Sequence, residues 1–224
     1  MIVPVREGVF FTTPPALPKG RHGLSHDEVL TRQRERLMIA ATELLAADGF
    51  RSLGVRDVST RAHVSQPSFY ECFADKDACV FAAYDRFLAV LADRMLTSVE
   101  TPATTPWDEV VSRVVLAFAG TLEADPVVGR AFMLELEGLG RPARERRRAA
   151  IHTIALLLKT ERDRHWPGAA GVPLSAYAAG VYAMRQLTAD QLDEPGSDPP
   201  VRGVATELVP TISAMLRPEA AAQL

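Results

Sequence analysis

The sequence predicts an all-α fold in which a small three-helix module precedes a larger helical body. Three observations carry that expectation. Apolar residues recur at i, i+3 and i+4 along most of the chain, while the strict alternation of a half-buried β-strand is hard to find. The breaks between periodic stretches are turn chemistry, as in "TPATTP", "GLGRP", "WPGAAGVP" and "DEPGSDPP". The periodic stretches are short before residue 76, and long and rich in alanine and leucine after it. With 224 residues, 47% hydrophobic and 24% charged, the chain can bury a sizeable core.

Residues 1–24 mix proline and glycine without a helical period, and a flexible arm is expected there. The module follows over residues 25–76. Its first helix carries Leu37, Ala40, Ala41, Leu44 and Leu45 as one stripe, and the "DGF" of Asp48 to Phe50 ends it at a glycine. "DVSTRAHV" and "SQPSFYECF" read as two short helices. The body is expected over residues 77–217, with a tail at 218–224. Asp75 is a good N-cap for its first helix, which carries Val80, Tyr84, Phe87, Leu88 and Leu91 on one side. Further helices read from Trp107, Pro126, Arg141, Leu174 and about Pro200, giving about nine or ten in all. No internal repeat is found.

Several function classes are excluded by simple counts. The longest apolar run, "AAIHTIALLL" from Ala149 to Leu158, is too short to span a bilayer. Prolines interrupt the N-terminus where a signal peptide needs an unbroken apolar run. Two cysteines, Cys72 and Cys79, are too few for a disulfide framework, and no CxxC or His/Cys spacing suits zinc. A cytoplasmic protein without metal or cofactor is expected. The net charge of −3 is silent about nucleic acid, because binding depends on one face rather than the sum.

The two short helices leave hardly any residues for the turn between them. With Val55 as the first helical position, Val58 and Ala62 share its inner face. Ser59 is small where a second helix would cross closely, and Val64 can plug the angle. His63 takes a position that generally wants positive φ, for which glycine is the easy choice. Ser65 is a good N-cap for the next helix, and Pro67 lies in its first turn, where a missing N–H costs little. Phe69, Cys72 and Phe73 then face Val58 and Ala62, leaving Pro67, Ser68, Tyr70 and Glu71 outward with Gln66 at the tip. This is a helix-turn-helix, whose second helix presents its N-terminal part to base edges in the major groove.

The outward chemistry fits that use. Gln66 can donate and accept at once, which suits an adenine edge. Ser68 and Tyr70 offer hydroxyl donors to phosphate, Lys76 supplies a point charge, and Arg56 could clamp a flanking phosphate. Glu71 is tolerated beside phosphates only if it accepts from a cytosine amino group.

The run "RERLMIAATELLAADGFRSLGVRDVSTRAHVSQPSFYECFADKDACVFAAYD", Arg34 to Asp85, resembles the N-terminal signature of the TetR family of bacterial transcriptional regulators. Its elements come in order: an amphipathic helix ending "GF", then "VRDV", then V-S-x-x-x-F-Y-x-x-F, then "DKDA". The resemblance covers roughly a quarter of the chain. It implies a three-helix DNA-binding domain, a helical effector-binding and dimerisation domain, and no enzymatic activity. Carried over by position, Ser65, Gln66, Pro67, Ser68, Tyr70 and Lys76 match the DNA-contact region. The chain departs from the family pattern at Gly54, where a Ser/Thr cap is common, at Gln66-Pro67, and at Cys72. It is thus expected to be a repressor that binds a palindromic double-stranded DNA operator as a homodimer and is released by a small-molecule effector. The rivals are a helical-bundle enzyme and a protein-binding adaptor.

Other groups have weaker assignments. Lys19, Arg21 and His22 could enter a minor groove beside the major-groove helix. The basic run "RPARERRRAA" from Arg141 reads as a solvated helix start. Phe87, Met95, Trp107, Phe118, Phe132, Met133, His152 and Trp166 are bulky groups that could line an apolar effector pocket or fill an ordinary core. Ala178, Ala179 and Gly180 would allow close helix approach at a dimer interface, with Leu208, Ile212 and Met215 as its apolar stripe. Pro210 predicts a kink in that last helix. Cys72 and Cys79 are expected to be buried free thiols rather than a redox pair.

Overall fold

The structure is a computed structural model that describes residues 2–15, 23–194 and 201–218, apart from the side chains of residues 137 and 204. Among these there are nine α-helices: α1 (His26–Ser52), α2 (Val55–Ala62), α3 (Gln66–Cys72), α4 (Lys76–Ser98), α5 (Trp107–Ala124), α6 (Pro126–Met133), α7 (Arg141–His165), α8 (Leu174–Asp193) and α9 (Val201–Leu216). A 3₁₀ turn, Glu135–Leu139, precedes α7.

The helix ends follow local rules. Ser25 and Glu28 cap α1 reciprocally, the Ser25 hydroxyl accepting from Glu28 N at 3.2 Å and the Glu28 carboxylate from Ser25 N at 2.7 Å. The expected break at Gly49 is present: its φ of 73° interrupts the helical geometry of α1, and a Cβ there would sit 3.0 Å from the Glu135 carboxylate. Asp75 caps α4 by accepting from Ala78 N at 2.7 Å. Pro210 lies inside α9, which is helical on both sides of it.

The chain divides into two compact units, residues 1–87 with 124–143, and residues 88–123 with 144–224. The first compact unit thus takes in the start of α4 and the segment around α6 as well as residues 25–76. The reason is aromatic: the first turns of α4 bury Tyr84 and Phe87 against Phe132 of α6, at ring separations of 5.6 and 5.2 Å. In this first unit α1 packs on α2, α3, α6 and the 3₁₀ turn, with Leu37, Leu45, Val58 and Phe69 fully buried.

The flexible arm expected at residues 1–24 is not what residues 2–15 do. Phe10 and Phe11 are buried, and Phe10 lies 5.3 Å from the Phe87 ring. A tight turn at Gly8 (φ 79°) brings the Gly8 N–H to Phe11 O at 2.8 Å. Proline and glycine suggested flexibility, but two adjacent phenylalanines provide enough apolar surface to fasten the segment. Lys19, Arg21 and His22 lie outside the described residues, as do residues 219–224 of the expected tail.

In the second unit α8 packs on α9. Trp107, Trp166 and His165 cluster with ring separations of 5.4 to 6.2 Å. Arg162 is fully buried beside them. Its guanidinium donates to Leu216 O at 2.9 Å and Ala170 O at 2.7 Å, tying α7 to the end of α9 and to the α7–α8 loop.

Candidate nucleic-acid interface

The corner forms as its residues dictate. His63 adopts a left-handed conformation (φ 55°, ψ 41°), the only non-glycine to do so among the described residues. It closes α2 with two bonds, His63 N–H to Thr60 O at 3.2 Å and Val64 N–H to Ser59 O at 3.0 Å. Val64 is buried in the angle, and the small Ser59 is buried where the helices cross. Ser65 caps α3, its hydroxyl accepting from Ser68 N at 3.2 Å. Phe69 is fully buried, and Phe73 packs on it at 5.9 Å.

The opposite face is open. Arg56, Ser65, Gln66, Pro67, Tyr70 and Glu71 are exposed, and Ser68 is half-buried. The Ser65 hydroxyl donates to Ser68 Oγ at 2.9 Å, so the Ser68 proton is left to donate elsewhere. Tyr70 stands with its edge against Phe69 at 5.5 Å, which fixes the ring while more than half of the residue remains accessible.

Lys76 has partners of its own within the chain. Its ammonium donates to Leu53 O at 2.9 Å and Phe50 O at 3.4 Å, and lies 4.3 Å from the Phe50 ring centroid. Phe50 O, in the last turn of α1, also accepts from Leu53 N at 3.2 Å, and Leu53 caps that helix, so the ammonium sits where a cation is favoured at a helix C-terminus. A matching clamp closes α3, where Arg34 Nη1 donates to Cys72 O and the guanidinium lies 4.3 Å over Phe73.

Residues 37–83 match the family model described as bacterial regulatory proteins, tetR family. Over that stretch, which holds the corner between α2 and α3, the chain is similar to the TetR family. Among solved structures, the chain is similar in fold to the fatty acid degradation regulator FadR from Bacillus halodurans (TM-score 0.66, 16% identity, covering 82% of this chain and 94% of that one). A TetR-family transcriptional regulator from Streptomyces coelicolor gives a TM-score of 0.66 at 17% identity, over 84% of this chain and 95% of that one. A putative fatty acid metabolism regulator from Clostridium perfringens gives 0.63 at 16% identity, over 80% and 97%. No curated protein matches the chain by sequence.

The other assigned groups are redistributed by the fold. Phe87, Phe132 and Met133 fill the core of the first unit, while Met95, Trp107 and Phe118 are buried in the second. His152 is exposed and Trp166 half-buried, so the eight aromatic, Met and His candidates do not line one pocket. The described hollow of about 480 Å³ lies elsewhere in the second unit, between α4, α5 and α9. Leu116, Ala117, Gly120 and Thr121 line it from α5, with Asp93, Arg94, Thr97 and Ser98 from α4 and Arg202 from α9. Sequence reasoning missed it because its floor is small residues, not bulky ones. Gly120 has a specific use: a Cβ there would meet the Arg202 guanidinium at 2.6 Å. Arg202 is in turn held by Glu123 at 2.7 Å.

Two of the six assigned dimer residues are spent within the chain. Gly180 and Ile212 are buried against each other where α8 crosses α9, whereas Ala179 and Met215 are exposed and Ala178 and Leu208 half-buried. Both cysteines are free and buried, and burial pushes both thiols up, away from the reactive thiolate. Among the described residues no group of His, Cys, Asp and Glu is arranged to hold a metal ion, and no helix is long and apolar enough to cross a membrane.

Proposed function

We propose that the chain is a TetR-family regulator, a homodimeric repressor that reads a palindromic operator through α3 and is released by a small-molecule effector. The observation that carries the DNA-reading part is the exposed row Gln66, Ser68 and Tyr70 on a short helix anchored from behind by a fully buried Phe69. In this reading Gln66 makes the base contact, while Ser65, Ser68, Tyr70 and Arg56 hold phosphates. Two copies of α3 about 34–36 Å apart would enter successive major grooves. Exposed Tyr182, Leu187 and Met215 on α8 and α9, together with Ala179, are the apolar groups that a dimer would cover.

Selection of bound genomic fragments by the purified protein tests this reading. One palindromic class is expected. Gln66→Ala should cost about 1–3 kcal/mol and relax specificity at one base pair. Tyr70→Phe should weaken all fragments alike. Recovery of fragments with no shared element would sink the reading.

The effector is assigned to the hollow between α4, α5 and α9. Arg94, Arg202 beside its partner Glu123, and the exposed Leu116 offer charge and apolar contact to an amphipathic anion, with Asp93 as the one carboxylate in the lining. Two of the similar solved structures are named as fatty acid regulators, so an acyl carboxylate is a natural first probe. Helix α4 runs from the first unit into the second and could carry the response. Octanoate should release operator DNA where octanol does not, and the double variant Arg94→Ala, Arg202→Ala should need about tenfold more octanoate. Equal release by octanoate and octanol would remove the anion assignment.

A further inference from the structure

Glu43 is a costly residue where it stands. It lies in the run of α1 from Leu37 to Leu45 that is buried throughout, where alanine or leucine would be the usual choice. Each carboxylate oxygen has one partner. Oε1 accepts from the backbone N–H of Val5 at 3.0 Å, and Oε2 accepts from Arg61 Nε at 2.7 Å. Val5 belongs to the N-terminal segment, while Arg61 is in the last turn of α2, two residues before the left-handed His63 that sets the corner.

The same segment is fastened at other points, largely through its backbone. Arg6 N donates to the Asp125 carboxylate at 2.7 Å, and that carboxylate also caps α6 through Val127 N and Val128 N. Thr12 N reaches Glu35 at 3.4 Å, Arg36 donates to Pro14 O at 3.0 Å, and Phe10 and Phe11 are buried. Residues 2–15 therefore form a strap joined to α1, α4 and the start of α6.

We infer that this strap is a positioning element for the reading head, with Glu43 carrying its influence to Arg61 and so to the end of α2. The inference rests on the DNA-reading role proposed above. The physical reason is the pairing of a buried carboxylate. If the Val5 N–H is taken away, one oxygen of a buried carboxylate loses its donor, and the carboxylate must re-aim or take water instead. Its hold on Arg61 changes with it. Helix α2 has eight residues, too few to keep its place without such tertiary contacts. The strap thus acts on DNA binding without having to touch DNA.

The test uses the full chain with Val5→Pro, which removes the one N–H and keeps every partner side chain. Affinity for a selected operator is expected to fall about tenfold, while affinity for an unrelated duplex changes less than about twofold. Amides of Val58 to Ala62 should exchange hydrogen faster, and those of α8 should not. Glu43→Gln should do the same, and the double variant should lose no more than either single change. Operator affinity of Val5→Pro within about twofold of the parent would overturn the inference. So would equal loss on both duplexes with unchanged α2 exchange, which would mean that the segment contacts DNA itself. If Val5→Pro does not fold, Glu43→Gln decides by the same two readouts. If the parent protein selects no DNA, the reading role has failed, and α2 exchange alone then judges the strap: faster exchange supports it and unchanged exchange ends it.

Discussion

Phe69→Ala is expected to abolish operator binding by melting the corner between α2 and α3. The ring is fully buried and holds α3 against the rest of its unit, with Phe73 and Tyr70 both packed on it. Removing it deletes the apolar contact and leaves a cavity, at a cost of about 3–5 kcal/mol. That is a large part of a typical domain's total stability. Helix α3 has seven residues and no independent means of staying folded. Chemical denaturation followed by circular dichroism, beside a DNA-binding titration, checks this. A variant that unfolds within about 1 kcal/mol of the parent would show that α3 is held from elsewhere.

The second large effect is expected from Arg162→Ala. Leu216 O, which is buried, and Ala170 O, in the exposed α7–α8 loop, both accept from this one guanidinium. Truncation leaves the buried Leu216 acceptor unsatisfied, hands Ala170 O to water, and opens a void where a fully buried side chain stood, costing about 2–5 kcal/mol. Arg162→Lys should recover only part of the loss, because an ammonium on a narrower stem cannot reach both carbonyls with the same fork geometry. The midpoint of thermal unfolding measures both. If the alanine variant melts within a degree or two of the parent, the guanidinium is not the fastening it looks like.

Features set by neighbours in sequence were legible from sequence. The breaks at Gly49 and His63, the caps at Ser65 and Asp75, the inward Phe69 and the starts of the later helices all follow from local rules, and they were read correctly. Features set by distant partners were not legible. Arg162 is one charge among several in "TERDRH", and only the end of α9, 54 residues on, makes it a buried anchor. Nothing local shows that the Phe50 and Leu53 carbonyls lie within reach of Lys76. The proline-rich start reads as free chain because its docking surface, Glu43 of α1, Phe87 of α4 and the Asp125 cap of α6, is spread along residues 43–125. The hollow was missed for a related reason: a cavity is made by what is absent, here the side chain of Gly120. Gly180 and Ile212 show the limit of stripe reasoning, since a small residue facing an apolar one marks a close contact without telling which two helices make it.

The pairing of Trp107 with Trp166 has a practical consequence. These are the only two indoles in the chain, and both belong to the second compact unit. Intrinsic emission excited at the red edge of the aromatic band therefore watches that unit alone. Unfolding of the DNA-reading unit would be spectrally dark by this method, while loss of Arg162, whose guanidinium carbon lies 6.0 Å from the Trp166 ring centroid, would register at once. A single indole introduced into the first unit would give each half its own optical signal.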